Sequence, residues 1–188
     1  HAAGANLVLH YRASAPEAEA LAADLNARRE KSALALRRDL GDMAGLAGMV
    51  DEALAHFGRL DALVNNASSF FPTPVGGIDA AAWDDLRGSN LKGPLFLSQA
   101  AAPHLAKTHG CIVNITDIHA ERPLKGYPLY CIAKAGLLGM TRALALELAP
   151  QVRVNAVAPG AIEWPENAID FPPEEQAAII GHTLLKRI

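Results

Sequence analysis

The sequence has few of the residues that mark several large classes of protein. It contains only two cysteines, Cys111 and Cys131, whose apolar neighbours indicate buried free thiols in a reducing cytosol rather than a disulfide. The formal net charge of −3 gives no basic surface for nucleic acid. No run approaches the ~20 apolar residues that a membrane-spanning helix needs. We therefore expect a cytoplasmic protein that binds neither nucleic acid nor a membrane.

The chain has what a single globular domain requires, with 188 residues of which 51% are hydrophobic. Short apolar segments alternate with helical ones, and this alternation predicts an α/β fold: a Rossmann-like, doubly wound parallel sheet in one domain over residues 1–188. The predicted strands are residues 6–11, 32–36, 62–65, 111–115 and 152–157. The predicted helices are residues 16–30, 42–57 with Asp42 as the cap, 79–107 with a break near Gly88, and 127–148.

Tyr130 and Lys134 stand four residues apart on the last of these helices, so they share one face. A free tyrosine is a poor acid or base at neutral pH, and a nearby ammonium is expected to lower its pKa toward a working value. Asp117 lies upstream, directly after the fourth strand. Taken alone, the pair could also be an ordinary surface contact on a helix.

Ligands of such sheets bind beyond the carboxyl ends of the strands. The first strand is followed by Arg12 and Ser14 and by no acid until Glu17, which favours a 2′-phosphate and hence NADP. Arg12 could equally be a solvated loop residue. Asp39 follows the second strand and could accept a hydrogen bond from an adenine amino group or cap a loop or helix.

The third strand ends in two asparagines, Asn65 and Asn66, which are poor strand formers and predict a local hydrogen-bonding task for the backbone. Phe70 and Phe71 follow on a proline-containing loop. We expect Phe70 to offer a stacking surface to a flat ligand, although one ring could instead lie in the core and the other at a subunit interface.

Asn90 falls inside a helical region, where asparagine often marks a kink or a structural water. Pro159 and Gly160 follow the fifth strand, and the glycine would allow a nicotinamide to approach closely.

Two other sequence patterns, one of glycines and one of histidines, do not indicate a binding site. The glycines at positions 41, 45 and 48 follow a helix cap and fit no nucleotide-binding spacing, so we interpret them as packing glycines. The seven histidines have no ligand spacing, and no metal site is predicted.

Three motifs together resemble the short-chain dehydrogenase/reductase family over essentially the whole chain. They are Tyr130-x-x-x-Lys134, Asn65-Asn66-Ala67 and Pro159-Gly160. The family usually has a serine thirteen positions before the tyrosine, and here that position is Asp117. An aspartate there, with Phe70 and the prolines after it, resembles the pteridine reductases. The segment 158–162 leading to 164–166 is similar to their bacterial branch.

The resemblance implies hydride transfer from NADPH to a pterin or folate, giving the tetrahydro form. Tyr130 would supply a proton, Lys134 would lower its pKa and bind the nicotinamide ribose, and Asn90 would hold the lysine through a water. Asp117 would hydrogen-bond the pterin and assist its protonation. Phe70 would sandwich the pterin, and Ser68 would contact both substrate and cofactor.

The resemblance and the positions of the strand ends together predict which residues contact the cofactor. They are Arg12, Ser14, Asp39, Leu40, Asn66, Ala67, Ser68, Tyr130, Lys134, Pro159 and Gly160. Family members commonly pair their long helices across two-fold axes, so a homotetramer is expected.

The family's Gly-rich phosphate loop, with its arginine, has no counterpart here, and a last strand and helix are also expected beyond residue 188. We therefore predict a domain truncated at both ends whose longer parent is the active enzyme. The proline-rich loop 161–173 is expected to border the substrate. Two alternatives stay open: a reductase of ketones or 3-oxoacyl groups that carries Asp117, and a catalytically silent dinucleotide-binding module.

Overall fold

The protein is described by a computed structural model that covers residues 1–162, 164 and 172–187. Most of the predicted substrate loop 161–173, including Pro165 and Glu166, lies outside these described residues. The regular elements are β1 (Leu7–Tyr11), α1 (Ala15–Arg28), β2 (Ala33–Arg37), α2 (Met43–Phe57), β3 (Ala62–Asn65), α3 (Ala80–Arg87), a π-helical turn (Gly88–Lys92), α4 (Gly93–Thr108), β4 (Cys111–Ile115), a 3-10 turn (Ile118–Ala120), α5 (Pro128–Glu147), β5 (Arg153–Val157) and α6 (Pro173–His182).

Local signals set the ends of several helices. The side chain of Asp42 accepts a hydrogen bond from the amide of Ala44 at the start of α2, as predicted, and Gly58 ends that helix in the left-handed conformation. The predicted break near Gly88 is confirmed, since a π-helical turn separates α3 from α4 there. The turn after β4 and helix α6 were not predicted from the sequence.

All strand pairs are parallel, as the alternating pattern predicts. Backbone hydrogen bonds join β1 to β2, and separately join β3, β4 and β5 in that order. The predicted parallel α/β arrangement is therefore confirmed, with its strands divided between two ladders. Strand β3 lies at the edge of its ladder, and its Val64 is 56% exposed. A central strand of a parallel sheet is covered on both faces, and such a side chain would be buried there.

One hydrophobic core joins the two ladders into a single Rossmann-like α/β domain. Leu36 of β2 and Met49 of α2 belong to the same buried cluster as Leu97 of α4, Ile112 of β4 and Val154 of β5. Side-chain packing between helices and strands, rather than a shared backbone ladder, therefore holds the two parts together.

Helix α5 is 20 residues long, with a mean hydropathy of 1.3 over its most apolar window, and could by length and composition cross a membrane. Inspection of the sequence did not reveal this. The helix buries Tyr130, Lys134 and Leu137 against the rest of the domain, and it packs on the 3-10 turn, α3 and β5. An amphipathic helix of this kind is a core helix of the fold.

The three glycines that we interpreted as packing glycines, at positions 41, 45 and 48, have different surroundings. A Cβ on Gly41 or Gly45 would meet a side-chain oxygen of Asp39 or Asp42, at 3.1 and 3.2 Å respectively. A Cβ on Gly48 would meet nothing within 4 Å, so the packing interpretation is wrong for that residue.

A glycine that was not singled out makes a tighter contact. A Cβ on Gly93, at the start of α4, would lie 2.8 Å from both Cβ and the carbonyl oxygen of Leu40. We expect Gly93→Ala to lower the free energy of unfolding by about 1–3 kcal/mol, because backbone cannot move aside cheaply. Gly48→Ala, in the middle of α2, is expected to raise it by about 0.5–1 kcal/mol. Urea unfolding of the two variants measures both values, and equal effects would contradict the packing at Gly93.

Candidate active site

Two chain segments meet at the carboxyl edge of the strands. β4 leads directly into Thr116 and Asp117, and α5 brings Tyr130 against them. The hydroxyl of Tyr130 donates to Oδ2 of Asp117 at 2.6 Å, a short distance typical of a charge-assisted bond. The structure thus brings together the two residues that the sequence places thirteen positions apart.

Both carboxylate oxygens of Asp117 have partners. Oδ2 accepts from Tyr130, while Oδ1 accepts from the amide of His119 at 2.9 Å and so caps the 3-10 turn. The amide of Ile118 donates to the carbonyl of Pro159 at 3.2 Å, which ties this turn to the loop after β5. The carboxylate is therefore held in one orientation, with Tyr130 as its side-chain partner.

Lys134 lies one turn beyond Tyr130 on α5 and is only 3% exposed. Its Nζ donates to the carbonyl oxygen of Ile115 at 2.9 Å and stands 5.6 Å from the centre of the Tyr130 ring. Burial lowers the pKa of Lys134 below its ordinary value, and the nearby charge of Asp117 acts in the opposite direction. The ammonium faces the strand end and the face of the phenol ring.

The pKa of Tyr130 shifts in the direction opposite to the one that the neighbouring Lys134 led us to expect. Burial raises the pKa of Tyr130 above its ordinary value, and the hydrogen bond to Asp117 and its negative charge raise it further. The carboxylate binds the phenolic hydrogen directly, whereas Nζ of Lys134 is bonded to a backbone carbonyl. Tyr130 is therefore a protonated hydrogen-bond donor at neutral pH.

Asn90 lies in the π-helical turn between α3 and α4. This confirms the prediction that the asparagine marks an irregularity in the helical region. Its amide donates to the carbonyls of Ser69 at 2.9 Å and Leu86 at 3.0 Å, and its Oδ1 accepts from the hydroxyl of Ser68. Asn90 therefore holds the loop that carries Ser68. A water-mediated contact from Asn90 to Lys134 stays a prediction.

Phe70 belongs to that loop and is 41% exposed. Its ring stacks on Tyr127, with 4.6 Å between centroids and an interplanar angle of 8°. It meets Tyr130 edge-on at 4.8 Å and 81°. Phe71 packs instead against a buried cluster that includes Leu129. The two neighbouring rings therefore have different surroundings, and Phe70 is the one beside Tyr130.

A cleft beside this site collects part of the predicted cofactor set. Its lining includes Arg12, Asp39, Leu40, Ala67 and Ser68 from that set. His10, Tyr11, Ser69 and Ser89 also line it and were not singled out. His10 and Tyr11 end β1, so the strand-end rule could have found them, whereas no sequence signal points to Ser89. The lining residues fit a dinucleotide, since they combine a guanidinium, hydroxyls and a carboxylate.

The rest of the predicted cofactor set lies elsewhere. The residues of the set outside this lining are Ser14, Asn66, Tyr130, Lys134, Pro159 and Gly160. Ser14 occupies the cap position of α1 without a side-chain hydrogen bond.

Two members of the lining already have ionic or polar partners. Arg12 pairs with the carboxylate of Asp85 at 3.4 Å. Arg12 is therefore not the freely solvated loop residue of the alternative interpretation. Oδ1 of Asp39 accepts from the amide of Gly41 at 2.8 Å, so the loop-capping alternative is confirmed for Asp39.

A buried side-chain network lies under the strand ends. Nδ2 of Asn65 donates to the hydroxyl of Ser98 at 3.2 Å and to Oδ1 of Asn114 at 2.8 Å. Nδ2 of Asn114 donates to Thr141 at 2.9 Å. The sequence predicted a backbone task for the paired asparagines, but Asn65 uses its side chain to join β3, β4 and α4, and Asn114 extends the network to α5.

Comparison with known proteins agrees with this geometry. A family profile described as enoyl-(acyl carrier protein) reductase matches residues 1–188. The chain is 40% identical to pteridine reductase 1 of Leishmania tarentolae, over 89% of this chain and 71% of that protein.

The chain belongs to the short-chain dehydrogenase/reductase family.

Other members of the family are also similar. A ketoacyl reductase of the granaticin polyketide synthase of Streptomyces violaceoruber is 38% identical, over 92% of this chain and 70% of that protein. A 3-oxoacyl-acyl-carrier-protein reductase of Staphylococcus aureus is 34% identical, over 85% of this chain and 65% of that protein. The protein is thus an NAD(P)-dependent oxidoreductase of the short-chain family, and these relatives differ in the substrate that their names give.

Within the part of the chain that the structure describes, no group of three metal-binding side chains is present. Both cysteines are free thiols, with Cys131 buried and Cys111 half-buried.

The Tyr130–Asp117 contact predicts a measurable titration. We expect Asp117→Ser to lower the pKa of Tyr130, because both the carboxylate bond and its charge are removed while burial remains. Ultraviolet titration of tyrosinate measures this shift, and Tyr130→Phe identifies the signal.

Asp42→Ser is the matched control, since a serine still caps α2 and the change lies outside the site. An alkaline titration of Tyr130 that is the same in Asp117→Ser and in the unaltered protein would contradict the assigned cause.

Proposed function

We propose that the protein reduces pterins, such as a dihydropterin or dihydrofolate, to the tetrahydro form with NADPH. The observation that carries the proposal is the 2.6 Å bond between Tyr130 and Asp117, in which an acid occupies the position where most family members have a serine. The resemblance to a pteridine reductase over 89% of the chain supports it.

An aspartate suits a pterin better than a serine does. Reduction of a C=N bond in a ring requires a group that donates a proton to the ring nitrogen. The amino-pyrimidine edge of a pterin also carries N–H groups, and a carboxylate can accept hydrogen bonds from them. The carboxylate also keeps Tyr130 protonated until the substrate arrives, because its charge opposes formation of a phenolate beside it. A serine hydroxyl in this position would carry no charge.

The roles of the side chains follow from their contacts. A bound nicotinamide supplies the hydride. Tyr130 holds a proton on its hydroxyl, in a position shared with Asp117, and delivers it to the substrate directly or through water. Lys134 keeps a positive charge beside the phenol ring and offsets the negative charge left when the proton departs. Lys134 would also bind the nicotinamide ribose.

The loop offers a surface for a flat ring. Phe70 is exposed beside Tyr130, and its stacking partner Tyr127 supports one face of the ring. Stacking against an aromatic face favours a planar heterocycle such as a pterin over the flexible chain of an acyl carrier. Ser68, held by Asn90, is close enough to the cofactor cleft to contact both ligands.

A reductase of 3-oxoacyl substrates is the second candidate, because two relatives have names of that kind. A silent dinucleotide-binding module is less well supported, since such a module need not keep Asn90, Tyr130 and Lys134, all of which are buried here.

We also propose a cytoplasmic homotetramer that binds neither nucleic acid nor membrane. Leu95 and Phe96 of α4 and Ile132 of α5 are exposed apolar side chains on the long helices, which suits helix pairing between copies.

The preference for NADPH rests on Arg12. We expect Arg12→Gln to raise the KM for NADPH by about tenfold and to leave the KM for NADH nearly unchanged, since only the 2′-phosphate needs the guanidinium. Steady-state kinetics with the two cofactors measure this difference. Arg28→Gln is the matched control, because Arg28 is also exposed and paired with an aspartate, but on α1. An equal rise in both KM values would contradict the role of Arg12.

The substrate class is tested with the protein expressed with its full natural sequence. We expect loss of NADPH absorbance with dihydrobiopterin, and a fall in kcat/KM of about 10²–10⁴-fold in Asp117→Ser, since proton transfer loses its positioned acid. NADPH binding, measured by fluorescence, is expected to change little, and serine can still cap the 3-10 turn.

Rapid turnover of a 3-oxoacyl substrate with no turnover of any pterin would overturn the proposal. An equal loss of NADPH binding and pterin reduction in Asp117→Ser would show instead that Asp117 acts structurally.

A further inference from the structure

One residue of the loop between β3 and α3 differs from all its neighbours. The structure describes every residue from 66 to 79, and Thr73 is the only buried one among them, with 2% of its surface exposed. The residues on either side, Pro72 and Pro74, are exposed. A polar side chain buried within an otherwise exposed loop needs a hydrogen-bonding reason.

Thr73 makes two hydrogen bonds to the start of helix α5. Its backbone amide donates to the carbonyl of Gly126 at 2.7 Å, and its Oγ1 accepts from the amide of Leu129 at 3.4 Å. The first amides of a helix have no partner within the helix. The side chain of Tyr127, at the cap position of α5, does not cap the helix. Thr73 therefore caps α5 from a segment more than fifty residues away in the chain.

The two segments that Thr73 joins carry the substrate-facing groups. Phe70 lies three residues before Thr73, and Tyr130 directly follows Leu129. The Phe70 ring contacts Tyr127 and Tyr130 with centroid distances of 4.6 and 4.8 Å. The cap thus joins the loop that carries Phe70 to the first turn of the helix that carries Tyr130.

We propose that Thr73 is a positioning residue, whose hydroxyl fixes the Phe70 loop on the first turn of α5 and so sets the gap that a flat substrate enters. The role rests on the proposed function, because it concerns the substrate side of the same site. Thr73 itself touches neither the phenol nor the carboxylate. Loss of its hydroxyl frees the Leu129 amide and allows the loop to shift relative to Tyr130.

The test compares Thr73→Val with Thr73→Ser in the full-length protein. Valine keeps the shape and removes the acceptor, whereas serine keeps the acceptor and removes a methyl group. We expect Thr73→Val to raise the KM for dihydrobiopterin by roughly five- to tenfold, with a smaller change in kcat and an unchanged KM for NADPH. Thr73→Ser is expected to restore the KM to within about twofold of the unaltered protein.

A second measurement does not depend on any substrate. Hydrogen exchange of the Leu129 amide is expected to be roughly fivefold faster in Thr73→Val and unchanged in Thr73→Ser. Thr108→Val is the matched control, because the Thr108 hydroxyl also bonds distant backbone, the carbonyl of Leu60 at 2.7 Å, at the C-terminal end of α4. That variant is expected to lose stability without a change in either KM.

The outcomes separate this role from the proposed function. Unchanged exchange of Leu129 in Thr73→Val, or equal increases in the KM values of pterin and NADPH, would overturn the role of Thr73. Should Thr73→Val not fold, Thr73→Ala and Thr73→Ser replace the pair, and equal behaviour of those two would overturn it. Absence of pterin turnover in the unaltered protein would overturn only the proposed function, since the exchange measurement still tests the cap.

Discussion

The buried contact between Asn65 and Asn114 fixes the point where the chain leaves the sheet. A buried amide without partners costs about 1–3 kcal/mol, so the network that satisfies both side chains allows essentially one register for β3 and β4. Ser98 and Thr141 extend it to α4 and α5. The residues that follow each strand, and the helix that carries Tyr130, are therefore positioned by the same few hydrogen bonds.

Above this network, burial and the charge of Asp117 reinforce each other at Tyr130 and oppose each other at Lys134. Burial favours the neutral forms of both Tyr130 and Lys134, so it moves their pKa values in opposite directions. Asp117 favours the charged form of Lys134 and the neutral form of Tyr130. The three groups together thus place a protonated phenol between a carboxylate and an ammonium, an arrangement that would suit release of a proton to a substrate.

The sequence predicts what depends on local chemistry and misses what depends on distant contacts. The cap at Asp42 and the break at Gly88 follow from neighbouring residues, and both are found in the structure. The network of Asn65 joins strands and helices that are far apart in the chain, so the spacing of residues could not reveal it. The sign of the pKa shift of Tyr130 was also missed, because i,i+4 spacing places Lys134 near the ring but does not say which atom receives its hydrogen bond.

The loop that carries Phe70 is held at both of its ends by buried atoms. Asn90 binds Ser68 and Ser69 at one end, and the backbone of Thr73 binds Gly126 at the other. A loop anchored in this way loses its conformational freedom during folding rather than during binding. The exposed ring between the anchors can therefore stack on a ligand with little additional entropic cost. Such preorganisation would let a short and largely exposed segment serve as a binding surface beside the helix that carries Tyr130.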